Sequence, residues 1–257
     1  MLKKMERVKT GIAGLDRLIK KGIPKGHLVL VSGQAGSGKS ICSMQFLYNG
    51  VTKYNETGLF ISFDQSRSDI VAQGRDFGWN LTQLEKKGKL KILSFNPNKD
   101  HILDITKKID AVLKDFSPKR LVLDSISTYA VYAETVSFFD VLMSYGLKKE
   151  ELHLSPTPQS VIRRAITEIL GKIKTSGITA FVISELPENS EYLSRDTISE
   201  FFCDGVILLY YTTIGGESFG NVQIRKMRHT EHAHEAYPTL IGKNGIEVEE
   251  ESAEILK

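Results

Sequence analysis

The chain has almost no cysteine. Of its 257 residues only Cys42 and Cys203 carry thiols. They lie far apart and lack metal-ligand spacing, which excludes a disulfide framework and a cysteine-rich zinc site. A reducing compartment is expected, with both thiols acting as small buried hydrophobes. No run approaches 18 apolar residues, so no membrane-spanning helix is expected. The basic start is not followed by an apolar stretch of the kind a secretory leader needs, so the cytoplasm is the expected location. An excess of one charge is missing too: 34 Lys and Arg face 31 Asp and Glu, a net of +3. That balance does not by itself point to nucleic acid. The charge is uneven, with Lys3, Lys4, Arg7, Lys9, Arg17, Lys20, Lys21 and Lys25 near the start and Glu247, Glu249, Glu250, Glu251 and Glu254 near the end. Both clusters read as solvated ends of the chain. There are no repeats, low-complexity tracts or evident linkers. One domain over residues 1–257 is expected, long enough to bury a sizeable core.

What the chain does have is Gly33-Gln34-Ala35-Gly36-Ser37-Gly38-Lys39-Ser40, a match to the phosphate-binding pattern G-x-x-x-x-G-K-[ST]. The apolar run Leu28 to Val31 precedes it as a buried strand. Ile41, Met44, Leu47 and Val51 follow on one helical face. Strand, glycine loop and helix make the geometry this chemistry needs. Glycines let backbone N–H groups converge on phosphates, and the helix N-terminus adds partial positive charge. Residues 33–41 are the expected nucleotide-binding set, with Lys39 on the β- and γ-phosphates and Ser40 on Mg²⁺. ATP and Mg²⁺ are the expected cofactors.

Strand and helix signals alternate from residue 27 to about 211, which argues for an α/β fold on a mainly parallel sheet. Strands are expected at 58–63, 90–93, 120–124, 178–184 and 205–212. Helices are expected near 69–77, 81–86, the stretch from Ile102 to Leu113, and 159–175, the last stopped by Gly177. A turn at Gly215-Gly216 leads into a strand at 221–227, and short strands close the chain near 237–241 and 245–248, so antiparallel hairpins end the fold. Residues of about 128–158 read as an inserted short helix and loop, open to packing on the core surface or to an interface role.

A nucleotide site of this kind needs a second acid at the end of a buried strand beside the P-loop strand, and Asp124 is the candidate magnesium group. Hydrolysis needs a carboxylate near the attacking water; Asp64 is the candidate, with Glu185 as the alternative. Either Asp would also serve as a turn former. Lys226 and Arg228, at i and i+2 near the end of a strand, would share one side and present charge to a γ-phosphate, or form a solvated face. His229, His232 and His234 lack an acid or cysteine at metal-binding spacing and read as a polar hairpin loop.

Taken together these residues resemble the KaiC-like branch of the RecA/RadA ATPase superfamily. The likeness is carried by Thr10-Gly11-Ile12-Ala13-Gly14-Leu15-Asp16 with Gly22-Ile23-Pro24-Lys25-Gly26, by Phe63-Asp64-Gln65-Ser66 with Phe77-Gly78-Trp79, and by Leu123-Asp124-Ser125. A fourth group is Asp204-Gly205-Val206-Ile207 with Lys226 to His232 and Tyr237-Pro238. The resemblance implies a RecA-like core, a hexameric ring or helical filament, and ATP between subunits. It implies that Lys226 and Arg228 act on the next subunit's γ-phosphate, with Met227, Thr230 and His232 near that nucleotide. Three departures stand out. The family's paired glutamates are Asp64-Gln65 here, which shortens one acid and removes the other. Its usual glycine after K-x-R is His229. The positions of the clock-type phosphoacceptor pair hold Glu200 and Phe201, so autophosphorylation is not implied.

The leading expectation is an ATPase of slow turnover, coupled to assembly and to regulation of a protein partner. A RadA-paralogue-like DNA accessory role is less favoured, because residues 186–196 carry more acids than bases. A non-hydrolysing ATP sensor is the third reading, kept open by Asp64-Gln65.

Overall fold

The computed structural model describes residues 5–96, 100, 102–135, 157–188, 190–214 and 216–252. A small antiparallel ribbon comes first: β1 (Arg7–Val8) pairs with β2 (Ile23–Pro24), and the short α1 (Leu15–Leu18) lies between them. The main sheet follows. Its strands are β3 (Leu28–Gly33), β4 (Gly58–Ser62), β5 (Leu90–Ser94), β6 (Arg120–Asp124), β7 (Thr179–Glu185), β8 (Gly205–Ile214), β9 (Glu217–Met227), β10 (Ala236–Gly242) and β11 (Gly245–Val248). They are ordered β11-β10-β9-β8-β3-β7-β6-β4-β5. Pairing is parallel from β8 through β5 and antiparallel from β8 to β11. This is the expected α/β architecture with terminal antiparallel hairpins.

Side-chain alternation dictates the layers. Val29 and Val31 of β3 face one core, Leu28 and Leu30 the other. Phe60, Val122 and Phe181 repeat the first phase on β4, β6 and β7, and Leu59, Leu121 and Ala180 the second. A sheet apolar on both faces must be covered on both. On one side lie α2 (Lys39–Tyr54), α3 (Arg67–Asp76) and α4 (Leu81–Lys86). On the other lie α5 (Ile102–Phe116), α6 (Ile126–Thr135) and α7 (Pro158–Thr175). The short α8 (Ser199–Phe202) precedes β8. Cys42 and Cys203 are both buried and free, and burial pushes the Cys42 thiol up to about 12.

Three expectations need correction. Asp124 does end a buried strand, but β6 is not beside the P-loop strand: β7 lies between them, paired to both. The β8–β9 hairpin is longer than its apolar alternation suggested, because polar residues continue the ladder out to Ile214↔Glu217. Gly216 follows in a left-handed conformation, φ 88°, and Gly215 lies outside the described residues. Helix α6 begins at Ile126, directly after the β6 acid, so it opens the stretch read as an insertion. Residues 136–156 of that stretch, with Phe138, Phe139 and Tyr145, lie outside the described residues.

Candidate nucleotide site

The parallel strands end on one rim, where α/β sheets bind ligands. Gly33 closes β3 at φ 155°, and a Cβ there would lie 1.8 Å from the Leu209 carbonyl oxygen of β8. Gly36 and Gly38 take left-handed φ of 78° and 89°, which glycine adopts without steric cost. A Cβ on Gly36 would meet nothing within 4 Å, so the crest of the loop is open. The loop is held from outside: the Tyr211 hydroxyl donates to the Gly36 carbonyl at 2.9 Å, and Ile241 of β10 packs against Gly38. Neither contact has a sequence signal, since both come from the distant hairpins.

Lys39 and Ser40 open α2. The Lys39 ammonium donates to the Gln34 carbonyl at 2.6 Å, folded back over the loop. Burial lowers its pKa against the opposing pull of Glu185 and Asp124. Asp124 is 5% exposed and accepts a hydrogen bond from the Ser40 hydroxyl. Its carboxyl is pushed up to about 7, first by burial and then by Asp64 and Glu185, while Ser40 and Lys39 pull it down. A buried carboxylate with two acidic neighbours is a poor resting place for negative charge and a good one for a cation's field. The expected residues therefore converge: Lys39, Ser40, Asp124 and Asp64 stand around one point. Glu185 joins them because β7 is interposed, its last residue level with Gly33.

Asp64 sits two residues beyond β4, exposed toward this rim. The Ser62 hydroxyl accepts from the backbone N–H groups of Asp64 at 3.3 Å and Gln65 at 2.9 Å, which turns the chain. The Thr128 hydroxyl of α6 donates to the Asp64 carboxylate. Ser125 and Thr128 hydroxyls lie 3.1 Å apart, and Ser125 Oγ also accepts the Thr128 N–H. Thr128 was not singled out by sequence; its signal was its place four residues after Asp124. Glu185 is oriented differently: its N–H donates to Ser127 at 3.0 Å, and its carboxylate stands 4.0 Å from Arg195.

Lys226 and Arg228 lie elsewhere. Lys226 pairs with Val206, which pairs with Leu30, three residues below Gly33. The Lys226 ammonium turns toward the lower end, donating to the carbonyls of Glu200 at 2.9 Å and Cys203 at 2.7 Å. Arg228, in the turn after β9, donates its backbone N–H to the Asp204 carbonyl at 2.8 Å and its guanidinium to the Asp204 carboxylate at 3.2 Å. At about 3.3 Å per residue, both cations lie roughly 10–17 Å down the strands from this chain's own P-loop. A bulge between Val206 and Ile207 breaks the register beside them. Met227 is buried against Gly205, Thr230 accepts from Arg7 at 3.1 Å, and His232 is half-buried beside His234. His229 has φ 57°, a left-handed conformation that explains why glycine suits this position. Among the described residues no group of three or more His, Cys, Asp or Glu could hold a metal ion. Glu200 is buried and accepts from Ser194.

The residues present fit a nucleotide with its magnesium. An open glycine loop lies over a helix N-terminus, with a lysine beside it and a serine–carboxylate pair below. Fold and site together define a P-loop ATPase domain of the RecA type. The family model "ATPase: KaiC" matches residues 8–144 and 151–253. The chain belongs to the KaiC ATPase family. It is 29% identical over 252 residues, 95% of its length, to the circadian clock oscillator protein KaiC of Prochlorococcus marinus strain MIT 9313, and covers 46% of that protein. To KaiC of Thermosynechococcus vestitus it is 30% identical over 95% of its length, covering 44% of the relative. The chain thus spans about half the length of these curated relatives. A crystal structure of a KaiC-like protein from Pyrococcus horikoshii OT3 superposes with a TM-score of 0.79 at 33% identity, covering 96% of this chain and all of that one. No helix of the described residues is long and apolar enough to cross a membrane.

Proposed function

We propose that this chain is a single-domain, Mg²⁺-dependent ATPase whose nucleotide is held between neighbouring copies in a ring or filament. The observation that carries the reading is the separation of the two halves of the site. Lys39, Ser40, Asp124 and Asp64 stand on the upper rim, and Lys226 and Arg228 at the lower end of the same sheet. Roughly 10–17 Å along the strands separates the cations from this chain's own phosphate loop, more than either side chain spans from its present anchor. They reach a phosphate only when another copy presents its rim to them.

On this reading Lys39 neutralises the β- and γ-phosphates, and Ser40 and Asp124 hold the magnesium, Asp124 through its water shell. The metal, when bound, supplies electrostatic stabilisation of the transferring phosphoryl group. Asp64 orients the attacking water and accepts its proton, and Thr128 holds that carboxylate in place. Arg228, with Lys226, meets the charge developing on the neighbour's γ-phosphate. Turnover is slow, because Asp64 is one methylene shorter than a glutamate and Gln65 supplies no second acid. Coupling of nucleotide state to a protein partner in the cytoplasm completes the proposal. DNA is the less favoured partner, since residues 186–196 hold Glu188, Glu191 and Asp196 against one base, Arg195.

The test is a mixing experiment. Lys39→Ala abolishes nucleotide binding, and Lys226→Ala/Arg228→Ala abolishes turnover while each P-loop still binds ATP. Co-assembly of the two restores activity, because some interfaces pair an intact P-loop with intact cations. Mixed oligomers that form but stay inactive refute the arrangement.

A further inference from the structure

The lower end of the sheet holds a charge cluster around these cations, and its carboxylate has no part in the reaction above. Its centre is Asp204, 7% exposed, immediately before β8. One oxygen of its carboxylate takes two cations: the Lys174 ammonium at 2.8 Å and the Arg228 guanidinium at 3.2 Å. The other accepts the backbone N–H of Leu28 at 3.2 Å, and the Asp204 N–H donates to the Leu28 carbonyl at 2.7 Å. Its own carbonyl accepts the Arg228 N–H. One residue therefore grips the first residue of the P-loop strand and both the backbone and the side chain of Arg228. Its pKa is held below the ordinary carboxylate value. Burial pushes it up, but hydrogen bonds from Lys174 and Leu28, with the charges of Lys174 and His27, outweigh that.

The cluster orients Arg228 without cancelling it. Lys174, Lys226 and Arg228 crowd one paired carboxylate, so net positive charge remains there. The Glu200 carboxylate is turned away to Ser194. Arg228 has five N–H donors. Among the described residues its guanidinium has no acceptor besides Asp204, and its side chain is 47% exposed. Lys226 differs: two of its three donors are taken by backbone carbonyls. The exposed guanidinium is the free end, and Asp204 decides where it points.

We infer that Asp204 is the positioning residue for Arg228, fixing that cation to the base of the P-loop strand so that it meets the nucleotide of the next copy. The inference rests on the between-copies reading above. An arginine whose backbone is pinned and whose guanidinium is held by a carboxylate loses little freedom when it meets a phosphate, which is the physical advantage of pre-organisation. An unclamped one must be ordered at each turnover.

The experiment uses Asp204→Asn in the full chain, with Asp204→Glu as a second variant that keeps the charge and shifts it by one methylene. ATP affinity is read by a fluorescent nucleotide, turnover by phosphate release, assembly by mass in solution. Both variants should bind ATP and assemble as the native chain does. Turnover should fall roughly 10- to 100-fold, the scale of a mispositioned group. The defect should also have a direction. Mixed one to one with Lys39→Ala, Asp204→Asn should regain about a quarter of native turnover, the share of head-to-tail interfaces with two intact sides. Mixed with Arg228→Ala it should regain nothing, because both supply a faulty cation side. A merely structural role predicts loss of assembly or melting temperature with no such direction. Unchanged turnover in both variants, or rescue by Arg228→Ala, overturns the inference while leaving the between-copies reading intact. If Arg228→Ala and Lys39→Ala themselves fail to complement in mixed oligomers, both fall together.

Discussion

Replacing Asp124 by Asn should make the nucleotide-free protein more stable and the nucleotide-bound protein less so. The carboxyl, ordinarily near 3.8, is pushed up to about 7 by burial. An acid whose folded pKa is raised binds its proton more tightly when folded. Its ionisation therefore opposes folding, with no effect below about pH 4, a cost that grows as pH rises to about 7, and a constant cost above that. Between those two values the linkage reaches about 4 kcal/mol. Asparagine removes the charge and keeps an acceptor for the Ser40 hydroxyl. The variant's advantage should rise by roughly 2–3 kcal/mol between pH 5 and pH 7.5, or about 5 °C in melting temperature for a chain of this size. Magnesium with ATP should stabilise the native chain by mass action, and the variant should lose most of that shift. The assay is thermal unfolding at both pH values, with and without nucleotide and metal. A nucleotide-free Asn variant less stable than native at pH 7.5, or an undiminished ATP shift, refutes the account of this carboxylate.

Substitutions elsewhere in the fold have distinct consequences. Asp64→Asn should cut turnover by about 10²–10⁴ with ATP affinity unchanged, because the acid acts on water; persisting turnover in single-turnover assays would move the role to Glu185. Arg120→Met should destabilise by about 1–3 kcal/mol, since it leaves the half-buried Glu56 carboxylate without its partner and takes the second hydrogen bond from the Phe46 carbonyl. Arg120 is 1% exposed, donates to that carbonyl at 2.9 Å, pairs with Glu56 and stacks on Phe46. A urea midpoint within error of native would count against that estimate.

The P-loop, the strand order in sequence and the acid ending β6 were legible because each is local. A glycine octapeptide, an apolar run and a strand-terminal Asp each announce themselves within a few residues. Sheet order was not, since neighbours are chosen by long-range packing; β7 slips between β3 and β6, and that places Glu185 beside Lys39. Arg120 was read only as the first residue of an apolar strand, because the carbonyl, Glu56 and Tyr54 that tame it come from elsewhere in the chain. Gly50, a weak point in a helix by propensity, makes sense only once Arg120 is seen against it, where a Cβ would lie 2.3 Å from the arginine Cδ. The i, i+2 spacing of Lys226 and Arg228 suggested one strand face. The strand ends at Met227, and the two cations are held by different partners around the same turn.

The central claim is that hydrolysis belongs to an interface between copies. Its most direct test is ATP turnover per subunit measured across a protein dilution series, with mass in solution recorded on the same samples, with and without Mg²⁺ and single-stranded DNA. The account predicts turnover that requires Mg²⁺, rises with the assembled fraction, vanishes in the monomer and ignores DNA. A monomer that hydrolyses ATP at the full rate would contradict it.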